Sequence, residues 1–245
     1  MEIAPDGSYE IIVSRDEPAR GNWLQLSPGA SQITTRHYHE SRQSVAANRF
    51  PLIPIHIEAL DPAPLTPYGG DERAARQLEY VANFVREHFA MVARKTTTEM
   101  ARSLGWISLE PNRFNRPGQW ASASGDNAYG NTHAYYASAP YQLAPDEALV
   151  IRGRFPDCRF ANVVLWNRFM QTHDFANRRV SFNRRQIDYE DDGSFKLVLA
   201  HSDPGVPNWL DTEGRSVGQI YWRYVHPVEK PDRVETKLVK SSSLG

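Results

Sequence analysis

The chain reads as a mainly β protein, a sandwich or jelly roll, with one connecting α-helix. Three observations predict this. Short β-type runs broken by turn signals fill the C-terminal half, with no helical periodicity between them. The two ends of the chain repeat one another. A single stretch, Asp71 to about Arg94, carries helical periodicity.

The repeat comes first. Asp6 to His39 (DGSYEIIVSRDEPARGNWLQLSPGASQITTRHYH) lies over Asp192 to His226 (DGSFKLVLAHSDPGVPNWLDTEGRSVGQIYWRYVH). Asp6-Gly7-Ser8 meets Asp192-Gly193-Ser194, and Asn22-Trp23-Leu24 meets Asn208-Trp209-Leu210, both at an offset of 186. Each copy opens on an Asp-Gly turn, because Gly tolerates positive φ and Asp bonds its own turn. Tyr9, Ile11 and Val13, or Phe195, Leu197 and Leu199, then alternate onto one face of a strand. A proline-bearing loop ends in Asn-Trp-Leu, with the Trp as its anchor. A second strand follows, Gln32 to Tyr38 or Gln219 to Val225. Only Met1 to Pro5 precede the first copy, whereas Leu143 to Tyr189 precede the second. The first copy is therefore expected to be incomplete, with open strand edges that invite a homodimer.

Phe50 to Glu58 holds Pro51 and Pro54 and reads as an edge strand or extended segment. Pro62, Pro64, Pro67 and Gly69-Gly70 form a linker. In the helix, Ala74, Leu78, Val81, Val85, Phe89 and Val92 make an apolar stripe expected to pack on a sheet. Thr96-Thr97-Thr98 weakens the helix, Glu99 to Leu104 resumes it, and Gly105 stops it. Trp106 to Tyr141 reads as an irregular aromatic segment, and so as a pocket wall. Strands are expected at Ala148–Phe155, Phe160–Met170, Val180–Phe182 and Gln186–Tyr189. The chain accordingly divides into a partial N-terminal β repeat (1–66), a linker and helix (67–105) and a β-sandwich domain (106–245).

The 28 Lys and Arg against 29 Asp and Glu leave a net charge of −1, which argues against a broad nucleic-acid surface. A single cysteine, Cys158, excludes an internal disulfide and suits a reducing compartment. No apolar run reaches membrane-span length, and the first residues lack a signal pattern. The chain is expected to be soluble and cytoplasmic. No phosphate loop, nucleophile elbow or other cofactor motif is present, so no cofactor is expected.

Three stretches carry a family likeness: Pro145–Ile151 (PDEALVI), Asn162–Phe169 (NVVLWNRF) and His201–Thr212 (HSDPGVPNWLDT). They resemble a bacterial family known as domain of unknown function 1214. The likeness covers about residues 106 to 228, with weaker echoes in 1 to 104. It implies a jelly-roll-like antiparallel β-sandwich and relatives with a second, upstream sandwich. It supplies no activity and no catalytic residue.

His37 and His39 share a strand face and are the sharpest metal-like pair, but no third ligand stands near in sequence. His173-Asp174 and His201 with Asp203 have the composition of a base and its orienter, although adjacent strand residues point to opposite faces. Turn capping explains both. Cys158 lacks a His partner and reads as structural. The residues leave open whether the chain is an enzyme. The expected activity is binding or processing of a small apolar ligand. Trp120, Tyr129, Tyr135, Trp166, Asn167, His201, Asn208 and Trp209 are the candidate pocket residues. A carbohydrate-binding module and a purely structural protein are the alternatives.

Overall fold

The computed structural model describes residues 1–28, 30, 33–43, 54–60, 70–92, 94–120, 130–167 and 169–244, without the side chains of residues 88–92, 94–97 and 100. Contacts divide the chain into two units, Met1–Tyr38 and His39–Gly245.

The smaller unit pairs β1 (Ile11–Ser14) with β2 (Asn22–Gln25) in parallel. Among the described residues the larger unit holds helices α1 (Asp71–Val92) and α2 (Arg94–Leu104) and eight strands. These are β3 (Ala134–Gln142), β4 (Glu147–Gly153), β5 (Phe160–Trp166), β6 (Ser181–Asn183), β7 (Phe195–Ala200), β8 (Trp209–Asp211), β9 (Val217–Val225) and β10 (Glu235–Lys240). They form two four-stranded sheets, ordered β3-β9-β5-β6 and β10-β4-β7-β8. Every pairing in them is antiparallel except β7 with β8.

One core unites the two sheets. Ala137, Ala139 and Tyr141 of β3, Val163 and Leu165 of β5, and Ile220 and Trp222 of β9 cluster with Leu149, Ile151, Leu197, Leu199 and Leu210 of the other sheet. Their period of two puts each set on one face of its strand. Tyr141 crosses its partner Gly218, where an added Cβ would lie 2.5 Å from the Tyr141 ring, so only glycine fits. A second apolar layer covers the outside of β4 and β7, where Ala148, Val150, Val198 and Ala200 meet Val206, Trp209 and Leu244.

The two parallel strand pairs close with matching bonds. Ile12 stands opposite Trp23, and Val198 opposite Trp209. Trp23 Nε1 donates to the Ser14 carbonyl at 3.2 Å, and Trp209 Nε1 to the Ala200 carbonyl at 3.1 Å. Asn22 Nδ2 donates to the carbonyls of Glu2 and Glu10, as Asn208 Nδ2 does to those of Asp188 and Lys196. Their Oδ1 atoms accept from the amides of Glu2 and Asp188. Asp6 and Asp192 each take the amide of the serine two residues on, and Gly7 and Gly193 both adopt positive φ.

Several expectations change. Among the described residues there are two helices rather than one, and the Thr96–Thr98 run, which costs only about 0.5 kcal/mol per residue, is carried inside α2. Of the α1 stripe, the described members Leu78, Val81 and Val85 are exposed rather than packed on a sheet. Asn-Trp-Leu is itself a strand, parallel to the one before it. The described residues 33–38 form no strand, whereas their counterpart is β9. Of the expected edge strand or extended segment at 50–58, residues 50–53 lie outside the described residues and 54–58 form no strand. Strand β3 lies inside the segment expected to be irregular. It accommodates Pro140 because the amides of Tyr136 and Ser138 point away from β9, to the carbonyls of Gly118 and Trp106, so the missing N–H at 140 faces away from β9 too. Residues 186–189 hold the end of a 3-10 turn (Arg184–Gln186) and one bridge, Tyr189–Phe195, instead of a strand. Strand β10, rich in charge, went unanticipated.

Candidate functional site

The outer face of the β3-β9-β5-β6 sheet is aromatic. Tyr136 of β3, Tyr221 and Arg223 of β9, and Asn162 and Trp166 of β5 project there, since their strand neighbours point into the core. Trp106 reaches this face from the segment after α2, which docks on the free side of β3 through bridges Ile107–Ser138 and Gly118–Tyr136. Trp166 stacks on Tyr221 with ring centroids 4.3 Å apart. Trp106 packs on Tyr136 at 5.5 Å, Tyr221 at 6.0 Å and Trp120 at 5.4 Å. The Arg223 guanidinium lies 4.7 Å from the Tyr221 ring centre and 5.5 Å from that of Trp166, within cation–π range.

Trp106, Tyr136 and Tyr221 are buried, while Trp120, Trp166, Arg223 and Asn162 stay half-exposed. Two polar atoms on this face, Trp106 Nε1 and Asn162 Oδ1, are buried without a hydrogen-bond partner among the described residues. One is a donor and the other an acceptor. Chemically, the face offers stacking surface and the Arg223 cation.

The expected pocket residues scatter. Trp120 and Trp166 join this face. Tyr135 packs against the interior core, because its neighbour Tyr136 takes the outer face. Tyr129 lies outside the described residues. Asn167 organises a turn, its Oδ1 accepting from the amides of Phe169 and Gln171. His201 bonds Thr212 Oγ1 at 2.7 Å on the other sheet's side of the molecule, and Asn208 and Trp209 fasten the β7–β8 loop. His37 is exposed beside Thr35 and His39 is half-buried. Among the described residues no group of three or more His, Cys, Asp or Glu side chains is placed to hold a metal ion.

A second polar group sits at one end of the interior, and its members were not singled out together in the sequence. His173 is buried, with neither ring nitrogen hydrogen-bonded among the described residues. Burial holds its pKa below the ordinary value, against the pull of Glu213. Tyr141 is raised, also by burial, and its hydroxyl has no partner among the described residues. Asp211 pairs with Arg178 at 2.7 Å, and Glu213 with Arg215 at 3.1 Å. Asp174 caps the turn at Ala176 and Asn177 and does not orient His173. Burial raises the Cys158 thiol, as suits a structural cysteine. Glu40 grips Arg184 through both oxygens, at 2.6 and 2.8 Å, tying residue 40 into the larger unit.

These sheets, with the aromatic face on one of them, define a mainly β protein whose described residues include no helix long and apolar enough to cross a membrane. A family profile described as protein of unknown function (DUF1214) matches residues 1–42 and 133–229, more than half of the sequence. The chain belongs to that family. The match takes in residues 1–42, where the sequence showed only echoes, and passes over residues 43 to 132. An uncharacterized protein from Burkholderia cenocepacia, known from its crystal structure, is similar with 30% identity and a TM-score of 0.66. The similarity covers 100% of this chain but 63% of that one, so the chain spans less than two thirds of its length. The VPA0106 protein from Vibrio parahaemolyticus is similar over 46% of this chain and 32% of its own, with 18% identity and a TM-score of 0.39. No curated protein matches.

Proposed function

We propose that the chain is a jelly-roll-like antiparallel β-sandwich, carrying an N-terminal copy of its β7–β8 unit, that binds a small apolar ligand on the aromatic sheet face. The observation that carries this is the Trp166–Tyr221 stack, half-exposed at Trp166 and flanked by Arg223. An aromatic ring gains on stacking against such a surface. Trp120 and Trp166 are the proposed contacts, within the 106–245 domain. No reaction is assigned.

A carbohydrate ligand is the second reading. It is favoured by the placement of the aromatics on the outside of a sheet, with polar Gln219, Asn162 and Arg223 among them.

Tryptophan fluorescence titration with 1-anilinonaphthalene-8-sulfonate and, separately, with cellohexaose tests both. Trp166→Ala should weaken the successful ligand by about tenfold or more, near 1.4 kcal/mol, while the melting curve holds. Response to the naphthalene probe supports the apolar reading, and response to the oligosaccharide alone supports the second. No response to either overturns both and leaves a structural protein.

A further inference from the structure

We propose that the edge of β1 away from β2, unpaired among the described residues, pairs with the same edge of a second copy of this chain. The correspondence with β7 specifies what that edge accepts. Ser14 gives its carbonyl to the amide of Leu26 at 2.8 Å, as Ala200 does to Thr212 at 3.2 Å, and the Val198 amide likewise turns towards β8. Backbone groups alternate along a strand, so those of Ile11 and Val13 point away from β2, as those of Leu197 and Leu199 point away from β8. In the larger unit that side is filled: Ile151 and Leu149 of β4 stand antiparallel opposite Leu197 and Leu199. Among the described residues β1 pairs with β2 alone.

The edge therefore calls for an antiparallel strand. Two identical strands related by a two-fold axis are antiparallel by symmetry. A second β1 thus meets the requirement and gives the order β2-β1-β1-β2, with two-fold symmetry at its centre. The sequence Ile11-Ile12-Val13-Ser14 suits self-pairing, since it sets no like charges opposite one another. It also lacks the lysine or proline that commonly blunts an exposed edge. On one side of the joined sheet, Tyr9, Ile11 and Leu24 of both copies form one apolar surface.

Size-exclusion chromatography with light scattering on the full chain, up to about 200 µM, is the test. The wild type should show twice the 27.9 kDa chain mass. Val13→Pro removes one edge-facing N–H and spares the bonds to β2, so it should run as a monomer with an unchanged circular dichroism spectrum. Ile11→Lys should do the same and decides the matter if the proline variant unfolds. A wild type that stays monomeric throughout, or a dimer that survives both substitutions, overturns the proposal.

Discussion

The strand pair β1–β2 and its counterpart β7–β8 share their hydrogen bonds and differ in burial. Tyr9, Ile11 and Leu24 are 49%, 42% and 50% exposed, whereas Phe195, Leu197 and Leu210 are 0% exposed. The loop geometry is therefore encoded locally, in Asp-Gly-Ser and Asn-Trp-Leu. It does not depend on what covers the sheet. The apolar face contributes to stability only where a second sheet removes it from water.

The sharpest way to break the equivalence is truncation at matched positions. Leu197→Ala should cost about 3–4 kcal/mol and Ile11→Ala under about 1 kcal/mol in urea denaturation. Equal costs at both sites would mean that Ile11 is buried in solution.

The anchor tryptophans come next. Both are half-buried, but Trp209 also packs on Val198 and Ala200 in the outer apolar layer. Trp209→Ala should cost about 2–3 kcal/mol, below the value for a fully buried ring. Trp23→Ala should cost roughly half of that by the same measurement.

Asn208 is buried and its side chain satisfies three backbone groups, so Asn208→Ala should cost about 2 kcal/mol. Asn22 makes the corresponding bonds where water can replace them, and Asn22→Ala should cost under about 1 kcal/mol. Thermal melts of the two variants side by side separate the cases.

The smallest expected effect belongs to the larger unit alone. Burial lowers the folded-state pKa of His173 below its unfolded value near 6.5. Above that value both states are neutral and stability is unaffected. As pH falls through it towards the folded pKa, the unfolded state takes up the proton first and stability is lost. The melting midpoint should fall across this window, within about 4 °C for each ~1 kcal/mol. His173→Gln should flatten that part of the profile, and an equal fall in the variant would assign the acid sensitivity elsewhere.

Part of the candidate site was legible in the sequence and part was not. Trp120 and Trp166 stood out as aromatics near loops and strand ends. Tyr221 and Arg223 did not, because Gln219 to Val225 (QIYWRYV) has large side chains on both faces, and alternation alone cannot say which face is inside. Tyr135 and Tyr136 show the same difficulty: adjacent residues on one strand take opposite faces, and only the register of β3 on β9 sends Tyr136 outward. His173 and Tyr141 lie far apart in sequence and meet the same charged pair, Glu213 and Arg215, only through the fold.

By itself, the sequence determined the Asp-Gly turns, the Asn-Trp-Leu fastening, the position of α1 and most strands of the larger unit. Each depends on neighbours within a few residues or on a period of two or 3.6. The tertiary structure decided the rest: the parallel pairing of β8 on β7, the tolerance of Pro140 on the free side of β3, and the choice of faces on β3 and β9. Those outcomes depend on which distant strand lies alongside, and hydrophobic burial is non-directional until such a partner fixes the register.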